Sequence, residues 1–69
     1  MHAAVDRSSL SKALAAGPTT VRVRLASGPC WCVLESVGRA AKDPRAVVRV
    51  AGVAREVRVA DIDAVAPLG

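Results

Sequence analysis

The chain has 69 residues, and its ten lysines and arginines against six aspartates and glutamates give it a formal net charge of +4. It has one Trp and neither Tyr nor Phe, so the apolar 52% consists mainly of small residues, with fourteen Ala, twelve Val, five Leu and one Ile. No apolar run approaches the roughly 18 residues of a membrane span, and the first ten residues lack the apolar core of a signal peptide, so we expect a cytoplasmic protein without a membrane partner.

Residues 6–17 are predicted to form one short helix. Asp6 is a suitable N-cap, Leu10 and Leu14 share a face, and Gly17 before a proline ends the helical pattern. A helix of about three turns is marginal in isolation. We therefore expect the two leucines to pack on the rest of the domain, covering an open end or edge of a sheet.

After the helix the hydrophobic period changes to two, which is typical of half-buried strands. In the first strand, which starts at Thr19, three apolar residues alternate with Arg22 and Arg24, so both arginines are predicted on the outer face. The turn Ser27-Gly28-Pro29 ends this strand. The second strand, residues 30–37, is apolar on both faces over most of its length, which indicates a central or bent strand.

A tight hairpin is predicted after the polar loop of residues 38–44. Its strands, residues 45–51 and 55–60, are joined across Gly52-Val53, because a Gly-X pair suits a type II′ turn. The strands place Arg49 and Arg58 on the outer face of the sheet.

The register that this turn implies matches apolar residues and charges at once. It pairs Ala51 with Ala54, Arg49 with Glu56, Val48 with Val57, and Val47 with Arg58. After the hairpin, residues 61–64 are predicted to form a helical turn capped by Asp61, and residues 65–66 a short closing strand.

Two strands, a polar loop, a tight hairpin, a helical turn and a closing strand follow one another in the order of SH3-like small barrels. The tail Arg55-Glu-Val-Arg-Val-Ala-Asp-Ile-Asp-Ala-Val-Ala-Pro67 resembles the ending of such domains. Over residues 19–67 the chain is similar to KOW- and Tudor-like modules and to the C-terminal dimerisation domains of plasmid partition repressors. The resemblance implies one mainly β domain over residues 1–69, a five-stranded antiparallel SH3-like barrel with a short N-terminal helix.

The chain departs from the ligand-binding members of these families in its aromatic content. Peptide grooves of SH3 domains, methyl-lysine cages and base-specific RNA platforms all need several aromatic side chains, and this chain has only Trp31. Contact with the nucleic-acid backbone and association with protein remain as predicted functions.

Cys30 and Cys32 flank Trp31, and strand alternation places both sulfurs on one face and the indole on the other. A disulfide across one residue of an extended strand is strained, and a structural zinc site needs four ligands, to which only His2 adds a further soft one. We therefore expect buried thiols, with no metal and no cofactor. Trp31 is expected in the core or in a dimer seam, and it is the predicted interface residue.

The outer-face arginines are the predicted nucleic-acid-binding residues, because a stripe of them on adjacent strands would neutralise phosphates. They are Arg22, Arg24, Arg49 and Arg58. A merely solvated face, in which Glu35 and Glu56 pair with these arginines, is the alternative explanation.

The chain offers no nucleophile beside a recognisable base, so we predict no catalytic residues and no enzyme. The predicted function is a small non-catalytic binding module that contacts the nucleic-acid backbone. The alternative is a protein-interaction or dimerisation module, for example an accessory protein of a plasmid, phage or integron. In either case the thin core predicts a homo-oligomer.

Overall fold

The computed structural model describes residues 5–68. Its elements, in chain order, are helix α1 (Arg7–Ala16), strands β1 (Thr19–Leu25), β2 (Gly28–Val37), β3 (Arg45–Val50) and β4 (Val53–Arg58), a 3-10 helix (Val59–Asp61) and strand β5 (Ile62–Pro67). All strand pairs are antiparallel, in one sheet of order β4-β3-β2-β1-β5. The predicted mainly β class, the five strands and the N-terminal helix are confirmed, whereas no ladder joins β4 to β5. Neither helix in this part of the chain has the length and apolar character needed to cross a bilayer.

Helix α1 begins and ends where the sequence predicts. The Asp6 carboxylate accepts a hydrogen bond from the Ser9 backbone N–H at 2.8 Å, and the Ser9 hydroxyl accepts one from the Asp6 N–H at 3.1 Å, which completes a capping box. The backbone N–H of Gly17 donates to the Leu14 carbonyl at 3.3 Å. Leu10 is fully buried and Leu14 packs beside it, so α1 is held by its contacts with β2 and β5.

The core lies between α1 and one face of the sheet, which we call the inner face. It is small and lacks aromatic residues, as the composition predicts. Its buried apolar members are Leu10, Val21, Val23, Cys32, Leu34, Ala46, Val48, Val59 and Ile62. The alternation of valine with arginine along β1 is therefore reproduced, with Val21 and Val23 inside.

The sheet is strongly curved. Strands β4 and β5 are its two edges, yet only the three residues Val59–Asp61 join them. Four strand spacings of about 4.8 Å span roughly 19 Å in a flat sheet, whereas the four residue steps from Arg58 to Ile62 cover at most about 14 Å. The edges must therefore approach each other, and Val59 and Ile62 lie buried where they do so.

The hairpin turn between β3 and β4 is Ala51-Gly52, so the predicted Gly52-Val53 turn is wrong. Both turn residues have positive φ, 50° and 80°, which is the pattern of a type I′ turn. This turn places Val50 opposite Val53, a larger apolar pair than the two alanines of the predicted register. The partners shift by two positions, so every strand residue keeps its predicted face.

The predicted register fails with the turn. Arg49 lies opposite Ala54, Glu56 opposite Val47, Val48 opposite Arg55, and Arg58 opposite Arg45. The predicted charge pair between Arg49 and Glu56 is therefore not formed.

Two further boundaries differ from prediction. Strand β2 starts at Gly28, which pairs with Leu25, so the first turn comes earlier than predicted. The predicted helical turn at residues 61–64 is also wrong, because the 3-10 helix precedes it and Ile62 already belongs to β5. The Val59 N–H donates to the Pro44 carbonyl at 2.9 Å, which fixes the start of that helix and turns Val59 and Ile62 into the core.

Candidate nucleic-acid interface

A β-bulge in β5 provides the partner of Arg22. In the β1–β5 ladder Arg22 pairs with Ala64 and Val23 with Ile62, so Asp63 is an extra residue. Its Oδ1 accepts a hydrogen bond from Arg22 Nε at 2.7 Å. This hydrogen bond lowers the pKa of the Asp63 carboxyl.

A second bulge, in β2, provides the partner of Arg49. Glu35 is the extra residue in the β2–β3 ladder, and its Oε1 accepts hydrogen bonds from Arg49 Nε at 3.1 Å and Nη2 at 2.7 Å. Arg49 Nη1 also donates to the Gly52 carbonyl at 2.9 Å. The pairing of Glu35 with an outer-face arginine is therefore confirmed, and Arg49 is tied to the hairpin.

Arg58 is the last residue of β4 and lies beside the loop between β2 and β3. It is directly opposite Arg45, which is an unfavourable like-charge pair. Asp43 bridges them, accepting from Arg45 Nη2 at 2.8 Å and from Arg58 Nε at 3.1 Å. The hydrogen bond from Arg58 is the main cause that lowers the pKa of Asp43.

Arg24 is the predicted site residue without an ion pair within residues 5–68. Its Nη2 donates to the backbone carbonyl of Ala60 at 3.0 Å. On the sheet it lies opposite Pro29, one row closer to the β1–β2 turn than Arg22. Its positive charge is therefore available to an external anion.

Trp31 lies on the outer face, with 51% of its surface exposed, so the expected place in the core is wrong. The inner positions on either side of it are taken by Cys30 and Cys32. Trp31 is directly opposite Arg22, whose guanidinium carbon lies 6.0 Å from the ring centroid. That distance is at the limit of a cation–π contact. Its predicted role as an interface residue stays a prediction.

Of the four predicted arginines, Arg22 and Arg24 lie on β1 beside Trp31. Arg49 lies on β3 and Arg58 on β4, where Glu35 and Asp43 respectively accept their hydrogen bonds. We call the surface formed by Arg22, Arg24, Pro29 and Trp31 the Trp31 patch. A groove of about 480 Å³ adjoins it, lined by Arg22, Arg24, Leu25, Gly28, Pro29 and Asp63.

Cys30 and Cys32 are free thiols on the inner face, the first half-buried and the second buried. Burial raises the pKa of the Cys32 thiol, so it stays protonated, and its Sγ donates a weak hydrogen bond to the Cys30 carbonyl. Residues 5–68 contain no group of three or more potential metal ligands. His2, the further soft ligand considered above, lies outside the described residues.

Sequence reasoning missed Asp43 and Asp63 as partners of the site arginines. The local signal for Asp63 is the break in alternation at its bulge, and Asp43 lies in the loop before β3, where the sequence carries no such signal. No known protein family, curated protein or solved structure matches the chain.

Proposed function

We propose that the protein is a non-catalytic binding module that contacts the phosphate backbone of nucleic acid through the Trp31 patch. The observation that carries this proposal is the pair of neighbouring arginines on the outer face beside an exposed tryptophan. Arg24 has no acidic partner within the described residues. The net charge of +4 favours the approach of a polyanion.

The ion pair of Arg22 with Asp63 does not prevent phosphate binding. Their side chains are 41% and 36% exposed, and exposed ion pairs contribute only about 0–1 kcal/mol. A phosphate oxygen accepts the same hydrogen bonds as the carboxylate and can be reached by both arginines. Arg22 therefore exchanges one weakly held anion for another.

The test is binding of a labelled nonspecific oligonucleotide, measured by fluorescence anisotropy between about 50 mM and 200 mM salt, a range over which phosphate contacts weaken steeply. Arg22→Gln and Arg24→Gln should each weaken binding to every sequence and lower the salt slope by about one. Arg55→Gln is the matched control, because Arg55 is an exposed arginine of β4, on the other side of the sheet from the patch.

The proposal is wrong if the protein has no measurable affinity for nucleic acid at low salt. An equal effect of Arg55→Gln would also contradict it, because the affinity would then depend on total charge and not on the patch.

A second candidate function is a dimerisation or protein-interaction module. The same exposed Trp31 supports it, because tryptophan and arginine are enriched among the residues that dominate protein interfaces. Analytical ultracentrifugation at micromolar concentration tests dimerisation through Trp31. A dimer that Trp31→Ala dissociates would support it, and a species of 7.1 kDa, or a dimer that survives Trp31→Ala, would contradict it.

We also propose that the curved sheet is an SH3-like barrel. Two features support this: the strand order, with β5 beside β1, and the three-residue link between the two edge strands. An experimental structure tests it. A barrel requires β4 and β5 to face each other across a narrow gap, and widely separated edges would contradict it.

A further inference from the structure

The Trp31 patch combines a flat aromatic surface with cations on one side. Trp31 is directly opposite Arg22 on β1, and Arg24 with Pro29 forms the next row. On the other side, the β2–β3 ladder begins only at Val33. The indole is therefore flanked by a strand on its β1 side alone, which leaves half of its surface open.

An exposed indole beside two guanidinium groups suits an unpaired base and its neighbouring phosphates. A base has an aromatic face that stacks on an indole whatever its identity, and arginines beside it bind the backbone. In a duplex those base faces are covered by the adjacent base pairs, so Trp31 cannot stack on them and the patch contacts only phosphates. Trp31 adds affinity only for a strand whose bases are free.

A second cationic surface, around Arg45 and Arg58, lacks this chemistry. Arg45 and Arg58 share Asp43, and the neighbouring loop contributes Arg39 and Lys42 without an aromatic residue. That surface offers charge alone, which does not distinguish single strands from duplexes.

We infer that the protein prefers single-stranded nucleic acid, with one base stacked on Trp31 and the adjoining phosphates bound by Arg22 and Arg24. This inference rests on the proposed function and adds the class of nucleic acid to it. Stacking of this kind is tolerant of sequence, so it does not need the several aromatics of a base-specific platform. The expected site size is short, since one aromatic residue anchors one base.

The experiment compares oligothymidine, its duplex with oligoadenosine, and an abasic oligomer of equal length, with oligouridine as the RNA arm. Trp31 is the only aromatic residue of the chain, so its fluorescence reports stacking directly. We expect oligothymidine and oligouridine to bind more tightly than the duplex and the abasic oligomer. Only oligothymidine and oligouridine should quench the fluorescence of Trp31. Trp31→Ala should lower single-strand affinity by about 5- to 150-fold and leave duplex affinity unchanged.

Val53→Ala is the matched control, because Val53 is 60% exposed and lies outside the patch. Trp31→Phe keeps a stacking surface and should retain much of the affinity, and circular dichroism of each variant checks the fold. Equal affinity for duplex and single strand, or no effect of Trp31→Ala, overturns this inference while Arg24→Gln still tests the proposed function. Absence of binding to every oligomer overturns both.

Discussion

The hairpin between β3 and β4 places an alanine where L-residues are strained. Ala51 has a φ of 50° and is followed by Gly52 at 80°. The left-handed conformation costs an L-residue about 1–2 kcal/mol, and asparagine is among the few residues that adopt it readily. Ala51→Asn creates the Asn-Gly pair that type I′ turns prefer. We expect it to stabilise the domain by about 1 kcal/mol, which for a chain of this size raises Tm by roughly 4–8 °C.

The assay is thermal and urea unfolding followed by far-ultraviolet circular dichroism. Gly52→Ala should destabilise by about 1 kcal/mol through backbone strain alone, because a Cβ at Gly52 meets no atom within 4 Å. Ala54→Asn is the matched control, since Ala54 is an exposed strand residue where asparagine is slightly unfavourable. If Ala51→Asn is neutral or destabilises the domain as Ala54→Asn does, the turn is not the type I′ turn described above.

Three further substitutions or treatments test the fold. Gly38→Ala should destabilise by more than about 1 kcal/mol in urea melts, because its Cβ would lie 2.9 Å from a backbone carbonyl of β3; an unchanged midpoint would contradict that contact. Because Arg58 lowers the pKa of Asp43, the stability that this pair contributes is present above the unfolded carboxyl pKa of about 3.9 and is lost as pH falls through the lower folded value. Asp43→Asn should make Tm depend less steeply on pH in the acid range. An unchanged dependence would refute the pairing. Cys30 should be alkylated before Cys32, whose burial raises its pKa and so lowers its thiolate fraction; mass spectrometry of partly labelled protein that shows the reverse order would contradict the burial pattern.

The elements of this fold could be predicted because their signals are local. Asp6 and Gly17 mark the helix ends through backbone hydrogen bonds within the helix. The alternation of Val21 and Val23 with arginine marks a strand with one buried face. Neither signal depends on distant residues, so both survive in the structure.

The hairpin register could not be predicted from the same local signals. Gly52 suits either turn position, and the charge match of Arg49 with Glu56 favoured the wrong one. In the structure Arg49 pairs with Glu35 instead, which a bulge in the neighbouring strand brings to it. A bulge depends on the pairing of two strands, which the sequence of one strand does not reveal.

The candidate site was predicted in its residue types but not in its grouping. Arg22 and Arg24 lie on the outer face as expected, and Trp31 joins them there, which excludes its expected place in the core and leaves the dimer seam a prediction. Arg58 is the last residue of β4, where it shares Asp43 with Arg45. The acid that each arginine meets depends on the strand pairing, which is a property of the whole chain.

The exposed edge of strand β4 affects whether molecules associate through their sheets at high concentration. Its six residues are paired with β3 on one side only and are mostly exposed, which is the situation that leads sheets of separate molecules to join. Consider two molecules whose β4 edges pair antiparallel about a two-fold axis perpendicular to the sheet. Each residue then faces a residue of the other molecule that lies on the same face of the sheet. Two such registers pair five of the six residues of β4. In one register Arg55 lies opposite Arg55 of the other copy, and in the other register Glu56 lies opposite Glu56. Like charges directly opposite repel, so this edge resists growth into a continuous sheet.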